Sequence, residues 1–277
     1  MIKTKRCKHG VFSFFQNDTI IGKSLDLYGE YAEYEFMLLD NLIAPNHVVI
    51  DIGANIGLHS VWFSKHAFKG EVVAFEPNEH NRVMLAKNLE QNGCKNVTVY
   101  ANIVGERKGM AFISSFDPKL PGNYGECSVL DSNPGQLYES RDMVNIDSID
   151  VKKLDFVKID VEGYEKQVLN GMKETIKTHR PGMLVEVNNS TTHIEHMWNM
   201  LAHQDYLLWW LPVRNYNPYN YFGNKTNIFM QGGIIDVLAM PREKAPITDL
   251  DRVMEPVEGF DDTYQKMYAR ALNKLKG

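Results

Sequence analysis

The stretch VVIDIGANIG, Val48 to Gly57, limits the fold more than any other in this 277-residue chain. Val48-Val49-Ile50 is an apolar, β-branched run and reads as a buried strand. It ends at Asp51, and Gly53, Asn55 and Gly57 follow at alternate positions. In the next segment, LHSVWFSKHAF, the residues Leu58, Val61, Trp62 and Phe68 share a helical face. Strand, glycine turn and helix open a βαβ unit, in which glycines let the backbone approach a ligand closely.

The dinucleotide fingerprint of such a turn is G-x-G-x-x-G. Counted from Gly53, its second glycine is replaced by Asn55 and its last by Leu58. A pyrophosphate needs bare backbone where Asn55 places a side chain. Asp51, just before the turn, repels phosphate and attracts an ammonium group. A ligand with a cationic end and no phosphate fits better, and S-adenosylmethionine (SAM) is one.

From about His47 the pattern alternates. GEVVAFEP, NVTVYA, LDFVKID and GMLVEVN read as strands, and EHNRVMLAKNLEQNG, EKQVLNGMKETIKTH and THIEHMWNMLAHQ as helices, the first of them closed by Gly93. YLLWWLPV and IIDVLAMP are two final strands with no helix between them. This predicts an α/β, doubly wound, mostly parallel sheet with an antiparallel edge strand. Residues 1–46 form a preamble. In it VFSFF and TIIG make a hairpin about Asn17-Asp18, and YAEYEFMLLDNLI makes a helix. The ligand-binding domain is expected over 47–242 and a helical extension over 243–277. Residues 114–140 read as a long polar loop close to the site.

With 30 basic and 35 acidic residues, the net charge of −5 argues against a nucleic-acid partner. No stretch is long and apolar enough to predict a membrane span or a signal peptide. Cys7, Cys94 and Cys127 are scattered, without a disulfide framework or metal pair, so a cytoplasmic setting is expected.

Ligands of open α/β sheets bind at the carboxyl ends of the strands. Glu76 ends the second strand, about 20 residues beyond Gly53, the offset of an acid that meets ribose hydroxyls. Asn102 and Ile103 follow the third strand, placed for an adenine edge and face. Asp160 and Glu162 follow the fourth, and Glu186 the fifth. Each of these acids can be a base, a metal ligand or a substrate anchor. His193 and His196 lie one helical turn apart beyond Glu186. The stretch WWLPVRNYNPYNYFGNKTNIF alternates aromatics with amides and cations, and Trp210, Arg214, Tyr216, Tyr219 and Tyr221 are its candidate acceptor contacts. Flat faces with amides and cations suit a sugar, and they would also suit single-stranded nucleic acid.

These motifs, VVIDIGANIG, VVAFEPN, FVKIDVEGYEKQVLNG and RPGMLVEV, resemble those of the FkbM-type SAM-dependent methyltransferases, over roughly Tyr28 to Met240. The resemblance implies a class I methyltransferase (Rossmann-like) fold, SAM as cofactor and O-methyl transfer. Asp51, Gly53, Asn55 and Gly57 match the SAM turn. Glu76 matches the ribose-binding acid, with Asn78 in the same segment. Asp160, Glu162 and Gly163 match the active-site mouth, and Glu186 the acid after the fifth strand. Tyr34 and Glu35 fall where the family has an aromatic–acid pair that resembles a cofactor lid.

The expected reaction is methyl transfer to a hydroxyl of a small molecule, a sugar or glycan. A polyketide or other secondary metabolite is the alternative. A nucleic-acid amino-methyltransferase would carry a Pro-Pro-aromatic run where this chain has DVEGY. The catalytic candidates are Asp160, Glu162, Glu186 and His193. The three acids act either as general base or as ligands of a divalent ion such as Mg²⁺.

Overall fold

The computed structural model describes residues 1–130, 137–187, 191–230, 232–246 and 250, and only the backbone of 191–193. The expected C-terminal helix lies outside these residues. The preamble hairpin sits earlier in the chain than the turn residues suggest. β1 (Ile2–Cys7) and β2 (Gly10–Phe15) pair antiparallel about Lys8-His9. The Asp18 carboxylate instead receives the backbone N–H groups of Ile20 and Gly22, at 3.0 and 2.9 Å. It therefore starts a helix, α1 (Ile21–Leu27), and α2 (Glu33–Leu39) follows.

The α/β core runs β3 (Val48–Ile52), α3 (Leu58–His66), β4 (Glu71–Phe75), α4 (Glu79–Gln91) and β5 (Val97–Tyr100). It resumes with β10 (Phe156–Ile159), α5 (Glu165–Asn170), α6 (Lys173–His179), β11 (Gly182–Glu186), α7 (Thr191–Leu201), β12 (Tyr206–Arg214) and β13 (Gly233–Pro241). Among the described residues these strands form a seven-stranded sheet in the order β12-β13-β11-β10-β3-β4-β5. β13 runs antiparallel to both its neighbours. The reversed strand is thus one place in from the edge, and β12 at the edge is parallel to the rest. Order reverses at β3, and that switch point opens the ligand crevice.

Two expectations change. EKQVLNGMKETIKTH breaks into α5 and α6, because Gly171 packs on the Gly105 carbonyl so closely that a Cβ would lie 2.0 Å from its oxygen. The expected polar loop partly folds into a second sheet. It contains β6 (Ile103–Val104), β7 (Gly109–Ser114), β8 (Val129–Leu130) and β9 (Tyr138–Val144), in the order β6-β9-β7-β8.

Alternate strand residues feed two cores, one on each face of the large sheet. Val49, Phe156 and Leu184 pack with α1 to α4, while Ile50, Val157 and Val185 pack with α5 to α7. Helix α4 also serves as a strand partner. Its Asn88 amide receives Ser13 N–H (2.7 Å) and donates to the carbonyls of Ser13 (3.0 Å) and Ile56 (2.7 Å), tying the hairpin to the glycine turn.

Candidate active site

The glycine turn is forced by what lies behind it. Gly53 has φ +85, and a Cβ there would lie 1.7 Å from the Asp160 carbonyl oxygen at the end of β10. Gly57 has φ +90, and its Cβ would meet the Leu85 side chain at 2.4 Å. Asn55 takes a left-handed φ of 50, a conformation asparagine tolerates, and its Oδ1 accepts the Ile56 N–H at 2.7 Å. The turn skirts a cavity of about 330 Å³, the size of a small-molecule site.

One wall carries Glu76. Its two oxygens accept the N–H groups of Asn55 (2.7 Å) and Asn78 (2.9 Å). Burial pushes its pKa up to about 7, although those two N–H groups pull the other way. The carboxyl is thereby fixed as a fork with lone pairs left over. Asn78 stands behind it, fully buried. It caps α4 by accepting the Asn81 N–H at 3.2 Å, and aims Glu76 through its own N–H.

The floor is a row of charges on one sheet face. Asp51 on β3 is level with Lys158 on β10, and Glu186 on β11 with Asp236 on β13. Lys158 Nζ lies 2.6 Å from Asp160 Oδ2, just beyond the end of its strand. Above them Glu35 of α2 approaches His59 of α3 to 2.9 Å, without the alignment of a hydrogen bond. The Ser60 hydroxyl donates to Asp51 at 2.6 Å.

Burying so many acids is costly unless cations or protons neutralise them. Burial opposes the Lys158 ammonium, but Asp160, Glu35 and Asp51 around it hold its pKa above the ordinary lysine range. Burial also opposes ionised Asp160, but the Lys158 ammonium, a hydrogen bond from Glu186 and His59 together outweigh it, so its pKa is lowered. Glu186 has no such cation, and at Asp236 Lys158 offsets burial only in part. Burial, then Asp160 for the first and Glu35 for the second, keeps both protonated far above the usual carboxylate range. The pair Asp160 and Glu186 thus splits into an ionised and a protonated member.

Of the residues expected at the site, Glu35, Gly53, Asn55, Glu76, Asn102, Ile103, Asp160, Glu162 and Glu186 all line the cavity. Asp51, Gly57 and Asn78 lie behind the wall. Oxygens of Asp160, Glu162 and Glu186 lie within 4.8 Å of one another, close enough to share an ion. The His193 side chain lies outside the described residues, and His196 faces Asn170 at 3.1 Å.

The aromatic stretch goes elsewhere. Trp210 is buried in the second core. Tyr216 packs on Tyr28, with ring centroids 5.2 Å apart. Tyr219 and Tyr221 are 85% and 49% exposed. Neither these four nor Arg214 lines the cavity, which Asn215 does. The reason is anchoring. Glu30 holds this lobe against the preamble by accepting Asn217 Nδ2 (2.7 Å) and Tyr221 N–H (2.9 Å). Sequence reasoning missed Tyr31, His59 and Lys158 on the wall and Asp236 behind it. Lys158 and Asp236 each carry a signal, a charge inside an apolar strand.

The family model for the methyltransferase FkbM domain matches residues 51–208, more than half of the chain. The chain belongs to the FkbM methyltransferase family. The hexuronic acid methyltransferase AglP of Haloferax volcanii is 28% identical over 156 residues, 55% of this chain and 60% of that protein. Methyltransferase 1 of Beauveria bassiana is 25% identical over 146 residues, 46% of this chain and 58% of that protein. The chain thus spans about three fifths of the length of these two relatives. Among solved structures, an FkbM methyltransferase from Methylobacillus flagellatus superimposes with a TM-score of 0.50 at 18% identity. It covers 71% of this chain and 44% of that one. That likeness speaks for the fold, the class I methyltransferase sheet. In this FkbM member the match begins at Asp51, so the preamble that carries Glu35 and Tyr31 lies outside it. No described helix is long and apolar enough to cross a membrane.

Proposed function

We propose that the protein transfers a methyl group from SAM to a hydroxyl of a sugar or glycan. The observation that carries this reading is the Glu76 fork facing a carboxylate row across one small cavity. The wall fits SAM. Glu76 would accept from the ribose hydroxyls, Ile103 and Asn102 would take the adenine, and Asp51 and Glu35 would offset the ammonium. When bound, SAM supplies a methyl group on a positively charged sulfur.

The chain's residues then do three things. With SAM bound, the turn and Glu76 would fix the cofactor for an incoming oxygen, and such positioning is the main gain in this kind of reaction. Lys158 keeps Asp160 ionised, so that Asp160 or Glu162 accepts the hydroxyl proton as the oxygen–carbon bond forms and the carbon–sulfur pair stays on sulfur. Protonated Glu186 cannot take that proton but can donate a hydrogen bond. A divalent ion held by Asp160, Glu162 and Glu186 is the weaker reading, because the Lys158 ammonium already serves Asp160. The polar rim, with Asn102, Asn123, Asn215 and Glu126, suits a polyol better than an apolar polyketide. The relative named for hexuronic acid supports the same class.

The test is methyl transfer from labelled SAM to a panel of carbohydrates and lipophilic alcohols, with and without chelator. Turnover of a carbohydrate, retained with chelator and lost in Asp160→Asn, is the expected result. Turnover of lipophilic alcohols alone overturns the acceptor class. Loss on chelation restores the metal.

A further inference from the structure

We infer that Tyr31 is a catalytic contact of this reaction, its phenol orienting the acceptor hydroxyl beside the carboxylates, and that the lobe anchored on Glu30 holds it there. The inference rests on the methyl-transfer reading above. Tyr31 lines the cavity between α1 and α2, and its ring packs on the first core. Its hydroxyl has no hydrogen-bond partner among the described residues. The groups facing it are Glu35 and His59 from the helices above, Lys158, Asp160 and Glu162 from β10 and its exit, and Glu186 from β11, with Asp236 of β13 behind the wall. Burial, then Asp160, Glu35, Glu186 and Glu162, raises the phenol well above its ordinary pKa, so it stays a donor. A core position needs no hydroxyl here, and phenylalanine would fill the same space.

The backbone around Tyr31 is held in costly shapes. Ala32 next to it has φ 52 and ψ 36, a left-handed conformation strained for a residue with a Cβ. Across the cavity mouth Glu162 has φ 51. Gly29 has φ +70, and a Cβ there would meet the rings of Phe222 and Tyr221 at 2.9 Å. Buried acids fix the segment at both sides. Glu30 grips the lobe through Asn217 and Tyr221, and Glu33 meets Lys8 and His9, each at 2.8 Å. The Tyr28 hydroxyl adds a bond to the Thr226 carbonyl at 2.8 Å and receives the Ile228 N–H at 3.0 Å. These clamps bracket Tyr31, which lines the cavity.

An oxygen attacking a methyl carbon uses one lone pair and sheds its proton to a carboxylate. A phenol O–H donating to its second lone pair sets the line of attack. The full chain carrying Tyr31→Phe should bind S-adenosylhomocysteine (SAH) as wild type does and melt at the same temperature. Its kcat/KM should fall about 10- to 100-fold, the worth of one hydrogen bond among charges. The acid limb of the pH profile should stay where it is, because the phenol donates to the acceptor oxygen and not to the carboxylates. Glu30→Ala should raise the acceptor KM and leave SAH binding intact. If Tyr31→Phe is unstable, difluorotyrosine placed at position 31 keeps the shape and acidifies the phenol, and the alkaline limb of the pH profile should move to lower pH as the donor proton is lost earlier. Equal rates and pH profiles for wild type and either Tyr31 variant overturn the assignment. A wild type that binds SAH but methylates nothing in the panel defeats the functional reading and this assignment with it.

Discussion

On the ribose contact proposed above, Glu76 should make cofactor affinity a function of pH, by an amount that follows from its surroundings. Its pKa is raised from 4.5 to about 7 by burial. Ionisation inside the fold is therefore opposed, and ligand-free protein loses stability as pH rises from about 4.5 to about 7. The difference, 7 minus 4.5, corresponds to about 3 kcal/mol. Accepting from both ribose hydroxyls requires the ionised form. At about pH 6 roughly a tenth of the protein is competent, and at about pH 8 roughly nine tenths. The apparent Kd for SAH should thus tighten about tenfold between those values, a change of about 1.4 kcal/mol. SAH is the better probe, since it lacks the charge on sulfur. Calorimetric titration of wild type and Glu76→Gln at both pH values isolates the group. The variant should bind weakly and without the pH dependence. A flat wild-type profile, or an equal slope in the variant, would refute the reasoning.

Two further outcomes follow from the turn and the charge row. Gly53→Ala forces a left-handed φ and a Cβ against the Asp160 carbonyl, so denaturant unfolding should show a loss of about 2 kcal/mol or more, with SAH binding abolished; a stable, SAH-binding variant would contradict the crowding of the turn. Lys158→Met strips Asp160 of its cation and should cost about 3–5 kcal/mol, whereas Lys158→Met with Asp160→Leu should recover most of that stability and no turnover; a double variant no more stable than the single would mean that the pair is not coupled.

The large sheet was legible because β-branched runs and helical spacings alternate strongly from Val48 to Met240. What escaped depends on contacts distant in sequence. Nothing in EKQVLNGMKETIKTH announces that Gly171 will meet the Gly105 carbonyl, so one continuous helix is the natural reading. Asn17-Asp18 has turn chemistry, but the same carboxylate can start a helix, and it does. The short strands of the second sheet have weak alternation and look like loop. The acids of the candidate site were readable, since strand ends converge on one edge. Lys158 and Asp236 were present as charges within apolar runs and passed as strand residues. Tyr31 left no periodic trace, because it lies between α1 and α2 with clamps on either side. Composition alone also could not say which way the aromatic lobe faces. Glu30, nearly two hundred residues earlier, decides that.

The place of β13 has a bearing on how the molecule is made. β12 pairs with β13 and with no other described strand, and β13 lies between β12 and β11. A growing chain completes β12 before its partner exists, and β11 keeps an unpaired border until β13 emerges. Such a border is a template for mispairing. Among the described residues, the border of β11 is sealed only when β13 arrives with β12 paired to it. The same event delivers Asp236 to Glu186. A product truncated before Gly233 would have the glycine turn and the Glu76 fork but an unfinished acid row and an adhesive flank. During synthesis, solubility and a complete charge row are gained together, in the final stretch of the sheet.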